Sequence, residues 1–250
     1  MAISTVYLDD RGRVRKSVSG QASYEAARSA ARGTNTTTGT SAFASNIQSV
    51  AFGVDIANER GVTKSSSFYR AYYSFDIGAI IGTDTISAIT LNVFGTANAG
   101  GDCVVVKANS NASFGTIATS DYPNVFNSTT SMTAYSSTVA VWFSSTLAPN
   151  EITLNGTAVD NMNSQTGGSQ YLTIGLINKE YDFDNLTATA VYSKFNGVRF
   201  DPTGVYRAYL SVTHAASGFS LDVNGVLGTN IGDINKVDQA SIAGLNGVSA

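Results

Sequence analysis

The densest group of acidic side chains in the sequence lies in the segment NKEYDFDN, where Glu180, Asp182 and Asp184 occupy every second position. In an extended segment, alternate side chains project to the same side of the backbone, so these three carboxylates would lie close together. Like charges repel at that spacing unless a cation neutralises them, and calcium prefers oxygen ligands. Two alternatives follow: a calcium site at Glu180, Asp182 and Asp184, or a solvated loop whose carboxylates pair with neighbouring lysine and arginine side chains.

A catalytic group is difficult to assemble from this sequence. The only histidine, His214, ends the segment RAYLSVTH, and a Ser-His-Asp or Cys-His site would have to use it. No serine lies in a nucleophile-elbow pattern, and a carboxylate pair for glycoside hydrolysis could come only from the acidic segment. We therefore predict that the protein is not an enzyme and that His214 simply ends a strand. A depolymerase or esterase centred on His214 or on the acidic segment ranks last.

The single cysteine, Cys103, opens the apolar run CVVVKA, which predicts a buried central strand. One histidine and one cysteine cannot form a zinc site, and one cysteine cannot form an intrachain disulfide. Apart from the calcium alternative, we expect no cofactor.

Aromatic residues are abundant, with 12 Tyr, 12 Phe and one Trp. Exposed aromatic rings stack on sugars in carbohydrate-binding sandwiches, whereas most aromatic residues in strands fill the core. The candidate glycan contacts are Tyr69, Tyr72 and Trp142. The residues that we expect in the core are Tyr73, Phe75, Trp142 and Tyr209.

A basic cluster near the start, RGRVRK, contains Arg11, Arg13, Arg15 and Lys16. The cluster is either a solvated part of a terminal arm or a docking surface for an acidic partner. The whole chain carries a net charge of −3, which argues against nucleic acid as a partner because nucleic-acid binding requires a basic face.

The C-terminal segment 219–250 repeats itself every 11 residues. Each unit contains Asn followed two residues later by Val, and an Ile recurs with the same spacing. One unit has too few apolar residues to form its own core, so repeats of this kind need neighbours from the same chain or from another subunit. The predicted assembly positions are Asn224, Val226, Ile231, Asn235, Val237, Ile242, Asn246 and Val248.

The elements that must position these residues are predominantly strands. From residue 46 onward, β-branched and aromatic segments alternate with turn signals such as TANAGGD and DPTG, a pattern typical of a sandwich or barrel. Only 22–32 and 157–165 favour helices, the second with Thr157 as its cap. We predict an all-β, jelly-roll-like antiparallel β-sandwich at 46–218, an N-terminal arm or adaptor at 1–45, and the C-terminal repeat segment at 219–250.

The segment SFYRAYYSFDIGAIIGTDTISAITLNVFG resembles the signature of DNRLRE-type jelly-roll modules. In those modules an aromatic strand ends in Phe-Asp-Leu or Phe-Asp-Ile, as at Phe75-Asp76-Ile77, and a pattern like that of Ile86 to Val93 follows a short loop. The segment 192–214 is similar to their closing strands. The resemblance spans residues 46–214 and implies the fold rather than a function.

The C-terminal repeats and the segment LNGTAVDNMNSQTGGSQYLTIGLINKEYDFDN resemble those of bacteriophage structural proteins. This resemblance implies a virion protein of the capsid decoration, neck or tail-fibre class, made in the host cytoplasm and assembling with copies of itself and with other virion proteins. The N-terminal segment MAISTVYLDDRGRVRK lacks a long apolar stretch, so we expect no secretion signal, and no apolar run is long enough to insert into a membrane. The alternative function is a glycan-binding module that contributes to attachment to the host surface.

Overall fold

A computed structural model shows a chain built mostly from antiparallel strands. The structure describes residues 1–19, 24–30, 33, 35–39, 48–59, 62–80, 84–98, 100–109, 117–126, 131–145, 148–165, 170–186, 191–200 and 206–216, together with four two-residue segments of the tail at 233–234, 237–238, 244–245 and 248–249. The prediction of an all-β antiparallel fold is confirmed.

Eleven strands join in one sheet. They are β1 (Ala2–Ser19), β2 (Asn35–Gly39), β3 (Gln48–Glu59), β4 (Val62–Asp76), β5 (Asp84–Val93), β6 (Gly95–Asn98), β7 (Cys103–Lys107), β8 (Asn150–Thr153), β9 (Tyr171–Asn178), β10 (Tyr192–Phe200) and β11 (Tyr209–Ala216).

The longest strand, β1, belongs to both halves of this sheet. Its residues 2–7 pair with β11, which continues through β5 to β8. From Leu8 onward, across an irregularity between Leu8 and Asp10, β1 pairs instead with β4, and its residues 11–15 also pair with β2. A strand that changes partners at a bulge can pass from one layer of a sandwich to the other, and β1 connects the two layers in this way.

The second half of the sheet is centred on β4. The first part of β4 pairs with β3, and residues 71–76 pair with β9. From β3 the sheet continues through β10 to β6, while β9 pairs with β7.

Alternate residues of β4 enter two separate hydrophobic cores, as the period-two pattern predicts. Ala71, Tyr73 and Phe75 pack in the first core, between the two halves of the sheet, together with apolar residues of β5, β9 and β11. Phe68 and Tyr72 face the opposite side and enter the second core. Because β4 is covered on both faces there, its residues 70–75 are all buried.

Short helices and loops cover the second core. They comprise α1 (Tyr24–Arg28), a 3₁₀ helix (Thr119–Val125) and a π-helical turn (Lys179–Phe183). Ala27, Tyr122 and Val125 from these elements are fully buried against Phe68 and Tyr72. The second half of the sheet is therefore the middle layer of three.

The remaining helix, α2 (Gly156–Asn163), buries Ala158 and Met162 in the first core. Asn155 caps its start by accepting a hydrogen bond of 3.2 Å from the backbone N–H of Ala158. The expectation that Thr157 caps this helix is wrong, because the helix begins one residue before Thr157 and Asn155 already occupies the capping position.

The β-branched and aromatic run TVAVWFS at 138–144 favours a strand, but no strand forms there. Within that segment only Val139 makes a β-bridge, exchanging backbone hydrogen bonds of 2.8 and 3.0 Å with Cys103. The side chain of Trp142 then turns into the first core, where its ring lies 5.2 Å from that of Phe52.

The described residues of the tail form two small hairpins that do not pair with the large sheet. Strand β12 (Asp233–Ile234) pairs with β13 (Val237–Asp238), and β14 (Gly244–Leu245) pairs with β15 (Val248–Ser249). The second hairpin lies 11 residues after the first, so the sequence repeat is also a structural repeat. Val237 and Val248 begin the returning strands. The other six predicted assembly positions of the tail lie outside the described residues: Asn224, Val226, Ile231, Asn235, Ile242 and Asn246.

Residues 2–19 do not form the arm that the sequence predicts. They form β1, an 18-residue strand paired with three other strands. The sequence pattern did not indicate this strand, because the charged side chains of the basic residues interrupt the apolar alternation that is typical of a buried strand.

Candidate functional site

The predicted docking residues of the basic cluster lie in the half of β1 that pairs with β4. Arg13 stands opposite Ala71 and Arg15 opposite Tyr69. Because Arg13 and Arg15 are two residues apart on one strand, their side chains share a face. Arg11 is only 5% exposed, so its side chain is part of the interior. Lys16, opposite Phe68, is partly exposed.

Arg13 and Arg15 both lie over the ring of Tyr69. Their guanidinium carbons are 5.3 and 5.4 Å from the ring centroid, and Nη1 of Arg15 lies 3.4 Å from the Tyr69 hydroxyl. The ring of Phe195, on β10, meets Tyr69 edge-on at 4.9 Å. We call these four residues, Arg13, Arg15, Tyr69 and Phe195, the arginine–aromatic patch.

The patch is partly buried. All four residues have intermediate exposure, and burial lowers the pKa of Arg13, an effect that Tyr69 opposes and Arg15 reinforces. A charged group that is already partly desolvated loses less hydration when a partner covers it. Arginine and tyrosine are also the residues that most often dominate the energetics of protein interfaces. The patch can therefore serve as an anchoring point for another protein surface.

Hydrogen bonds hold Arg15 in place within the patch. Its Nε donates to the Ser17 hydroxyl at 2.6 Å, and Ser17 is hydrogen-bonded to Ser67 of β4 at 2.8 Å. A guanidinium that is already fixed loses little side-chain entropy on binding.

The three candidate glycan contacts are not brought together. Tyr72 is fully buried in the second core, and Trp142 is 3% exposed in the first, with its indole N–H donating to the Gly197 carbonyl at 3.2 Å. Only Tyr69 is partly exposed, and two guanidinium groups flank its ring. Stacking on a sugar needs an open ring face, which neither Tyr72 nor Trp142 provides.

The acidic segment does not have the extended geometry on which the calcium alternative depends. Lys179–Phe183 forms a π-helical turn, so Glu180, Asp182 and Asp184 do not project as alternate residues of a strand. Asp182 is fully buried, and Asp184 pairs with Lys179. Within the described parts of the chain, no three acidic, histidine or cysteine side chains are grouped as metal ligands would be.

Asp182 is instead the partner of Arg70, which the sequence did not single out. The two side chains form a bidentate ion pair, with Nη2–Oδ1 at 2.6 Å and Nε–Oδ2 at 2.8 Å, and both are completely buried. Burial is the largest single influence on the pKa of Arg70 and lowers it, but the Asp182 carboxylate together with Tyr122 and Tyr72 raises the pKa on balance, so the arginine stays charged.

The same arginine also reaches the elements that cover the second core. It donates hydrogen bonds of 2.9 Å to the Tyr122 carbonyl and 2.8 Å to the Arg28 carbonyl. Its guanidinium carbon lies 4.0 Å from the ring centroid of Tyr122 and 4.7 Å from that of Phe126. Arg70 therefore joins β4 to α1, the 3₁₀ helix and the π-helical turn, and its role is structural.

The hairpins β12–β13 and β14–β15 form the second candidate interaction feature. Each has two-residue strands, and neither pairs with the eleven-stranded sheet within the described residues. An isolated two-stranded hairpin is marginally stable in water, so these hairpins need further contacts. In each hairpin the paired apolar residues, Ile234 with Val237 and Leu245 with Val248, are separated by two residues, which are Asn-Lys and Asn-Gly.

Comparison with known proteins assigns no family to this chain: no protein-family model matches it, and no curated protein matches it. Among the helices that the structure describes, none is long and apolar enough to cross a membrane. The candidate functions must therefore be weighed on the geometry of the patch and of the hairpins.

Proposed function

We propose that this chain is a structural component of a bacteriophage virion, a capsid decoration, neck or tail-fibre protein that acts through assembly with copies of itself and with other virion proteins. The observation that carries the proposal is the pair of tail hairpins, which follow the 11-residue sequence repeat and, within the described residues, pair only with themselves. A regular repeat of small hairpins needs neighbours, and a multi-subunit assembly supplies them.

The arginine–aromatic patch supports the same proposal. Arg13 and Arg15 present two positive charges beside the rings of Tyr69 and Phe195, a combination that suits an acidic protein surface. The resemblance of the tail to bacteriophage structural proteins is the reason for proposing that this assembly is a virion. In this proposal the arginine–aromatic patch anchors the folded domain to another protein, and the hairpins connect neighbouring subunits.

The structure offers less support for glycan binding. That alternative depended on a shared exposed surface at Tyr69, Tyr72 and Trp142, two of which are buried. We therefore retain a single proposed function.

The proposal predicts that deletion of residues 219–250 leaves a folded domain that no longer assembles. Native mass spectrometry and multi-angle light scattering would measure the subunit number of the full chain and of the truncated chain. Circular dichroism would report whether the strand content of the domain persists. We expect the full chain to form a discrete oligomer and the truncated chain to remain a smaller species with an unchanged strand signal.

A tail of the same length and composition, shuffled so that the 11-residue spacing is lost, is the matched control. This control should behave like the truncation, because the proposal depends on the phase of the repeat rather than on tail length. Normal oligomerisation of the truncated chain, together with its normal incorporation into particles, would show that the tail has no role in assembly.

A further inference from the structure

Three side chains of chemically distinct types meet on neighbouring strands at one end of the first half of the sheet. Ser4 lies on β1, His214 on β11 and Asp84 at the start of β5. Ser4 is opposite Val212, two residues from His214, and Asp84 is opposite Ala216, again two residues from His214. Diagonal neighbours at this offset share a face of the sheet and are close enough to interact.

The contacts place His214 between the other two side chains. Its Nε2 is 2.8 Å from Oγ of Ser4, and its Nδ1 is hydrogen-bonded to Oδ2 of Asp84. An ionised carboxylate only accepts hydrogen bonds, so Nδ1 carries the proton and Nε2 is left to accept the serine hydroxyl. This is the order of nucleophile, base and orienting carboxylate that activates a serine.

Burial differs along this chain of contacts. The side chain of His214 is 11% exposed and that of Asp84 is 19% exposed, and Ser4 is partly exposed. The imidazole is thus held in a sheltered position, while Ser4 keeps partial contact with solvent.

The open edge of β1 supplies a hydrogen-bond donor beside Ser4. The backbone N–H of Leu8 donates to the Ala208 carbonyl at 3.0 Å, which fixes the alternation along this antiparallel pair. By that alternation Ser4 exchanges hydrogen bonds with Val212, and the N–H of Thr5 points away from β11. Within the described residues, β1 pairs on that other side only from Leu8 onward. The amide that follows the nucleophile is a common oxyanion donor, and here it faces the open edge.

We propose that Ser4, His214 and Asp84 form a hydrolytic site for short-chain carboxylic esters. Oγ of Ser4 attacks the ester carbonyl carbon as its proton passes to Nε2 of His214. The bond from that carbon to the alkoxy oxygen then breaks, and the alcohol leaves with the proton from Nε2. Water attacks the acyl–serine, giving one proton to Nε2, which returns it to Oγ as the carboxylic acid departs. The N–H of Thr5 stabilises the oxyanion, and the partly buried hydroxyl favours a short acyl group.

A fluorophosphonate probe tests this site on the full chain. The probe reacts covalently with activated serines, and peptide mass mapping locates the adduct. We expect labelling of the folded protein at Ser4 and hydrolysis of p-nitrophenyl acetate. The Ser4→Ala variant should lose the adduct, and its ester hydrolysis should fall by about a thousandfold, in line with the loss of a triad nucleophile. The His214→Gln variant should lose both activities to a similar extent.

Ser87→Ala is the matched control, because Ser87 lies on the same sheet and donates only to the Thr213 carbonyl at 3.2 Å. It should keep labelling and hydrolysis unchanged. Absence of a Ser4 adduct in the folded wild-type protein would overturn the proposal and leave the three residues as a hydrogen-bonded link between strands. Ester hydrolysis that persists in Ser4→Ala would overturn it equally. Neither result bears on the role of the tail in assembly.

Discussion

At the scale of single residues, the central electrostatic interaction in the described structure is the ion pair between Arg70 and Asp182. Both side chains are completely buried, and the guanidinium also lies against the rings of Tyr122 and Phe126. Removing two charges from water is costly, and good geometry with further hydrogen bonds is needed to offset that cost. Here two backbone carbonyls accept two of the three remaining guanidinium protons. The pair therefore specifies how the covering elements dock on β4.

Arg70→Met should lower the free energy of unfolding by about 3–5 kcal/mol, because it removes the bidentate cation from the buried Asp182 carboxylate and leaves it the more distant Arg28, whose Nε lies 3.9 Å from Oδ1. Urea denaturation followed by circular dichroism measures the change. Asp184→Asn, in the more exposed pair with Lys179, is the control and should cost less than about 1 kcal/mol. If Arg70→Met lowers the free energy of unfolding no more than Asp184→Asn does, the buried ion pair contributes little to stability.

At the scale of elements, strand β3 contains a backbone conformation that only glycine adopts easily. Gly53 has a φ of 145°, and a Cβ at this position would lie 2.1 Å from the Lys194 carbonyl oxygen on β10. Gly53 pairs with both Phe195 and Tyr69, so the close approach of the strands is what brings those two rings together. The arginine–aromatic patch thus depends on a residue with no side chain.

Gly53→Ala should destabilise the protein by about 1–3 kcal/mol, since alanine is strained at this φ and its Cβ meets backbone. Gly156→Ala is the matched control, because Gly156 begins α2 and no atom of another described residue lies within 4 Å of the point that an alanine Cβ would occupy. Alanine is a better helix former, so the control should be neutral or more stable by up to about 1 kcal/mol. Thermal and urea unfolding of both variants provide the comparison, and equal stability of the two would contradict this account of β3.

At the scale of the whole molecule, β1 holds the two halves of the sheet together. It contributes residues to the pairing with β11 on one side of its irregularity and with β4 and β2 on the other. Leu8, at the irregularity, is buried in the first core, and Val14 is buried in the second. The N-terminal segment therefore completes both cores, whereas the tail hairpins complete neither within the described residues.

Deletion of residues 1–19 should abolish cooperative folding, because it leaves β4 and β11 without their shared neighbour and opens both cores. Differential scanning calorimetry would show no sharp transition for this variant. The 219–250 deletion serves as the comparison, with a transition within a few degrees of the full chain. A cooperative transition in the chain lacking residues 1–19 would contradict the central role of β1.

The fold class follows from the sequence, because the alternation of apolar and polar residues with period two is a local property. It can be recognised without knowing which strands pair with each other. The same alternation placed Tyr69, Ala71, Tyr73 and Phe75 on one face of β4 and Phe68, Arg70 and Tyr72 on the other. The 11-residue phase of the tail is also visible in the sequence, and the hairpins follow it.

The tertiary structure was needed to show which residues lie together. Partners of a charged residue are set by strands far apart in the chain, so Arg70 with Asp182, and Ser4 with His214 and Asp84, could not be paired from sequence. The basic residues of β1 suggested an arm, yet β1 pairs with β4 on one side and with β11 and β2 on the other, so it is a central strand. Short-range patterns fix local conformation, including the tail hairpins, whereas burial and charge pairing depend on long-range contacts, and those contacts define the arginine–aromatic patch and the group of Ser4, His214 and Asp84.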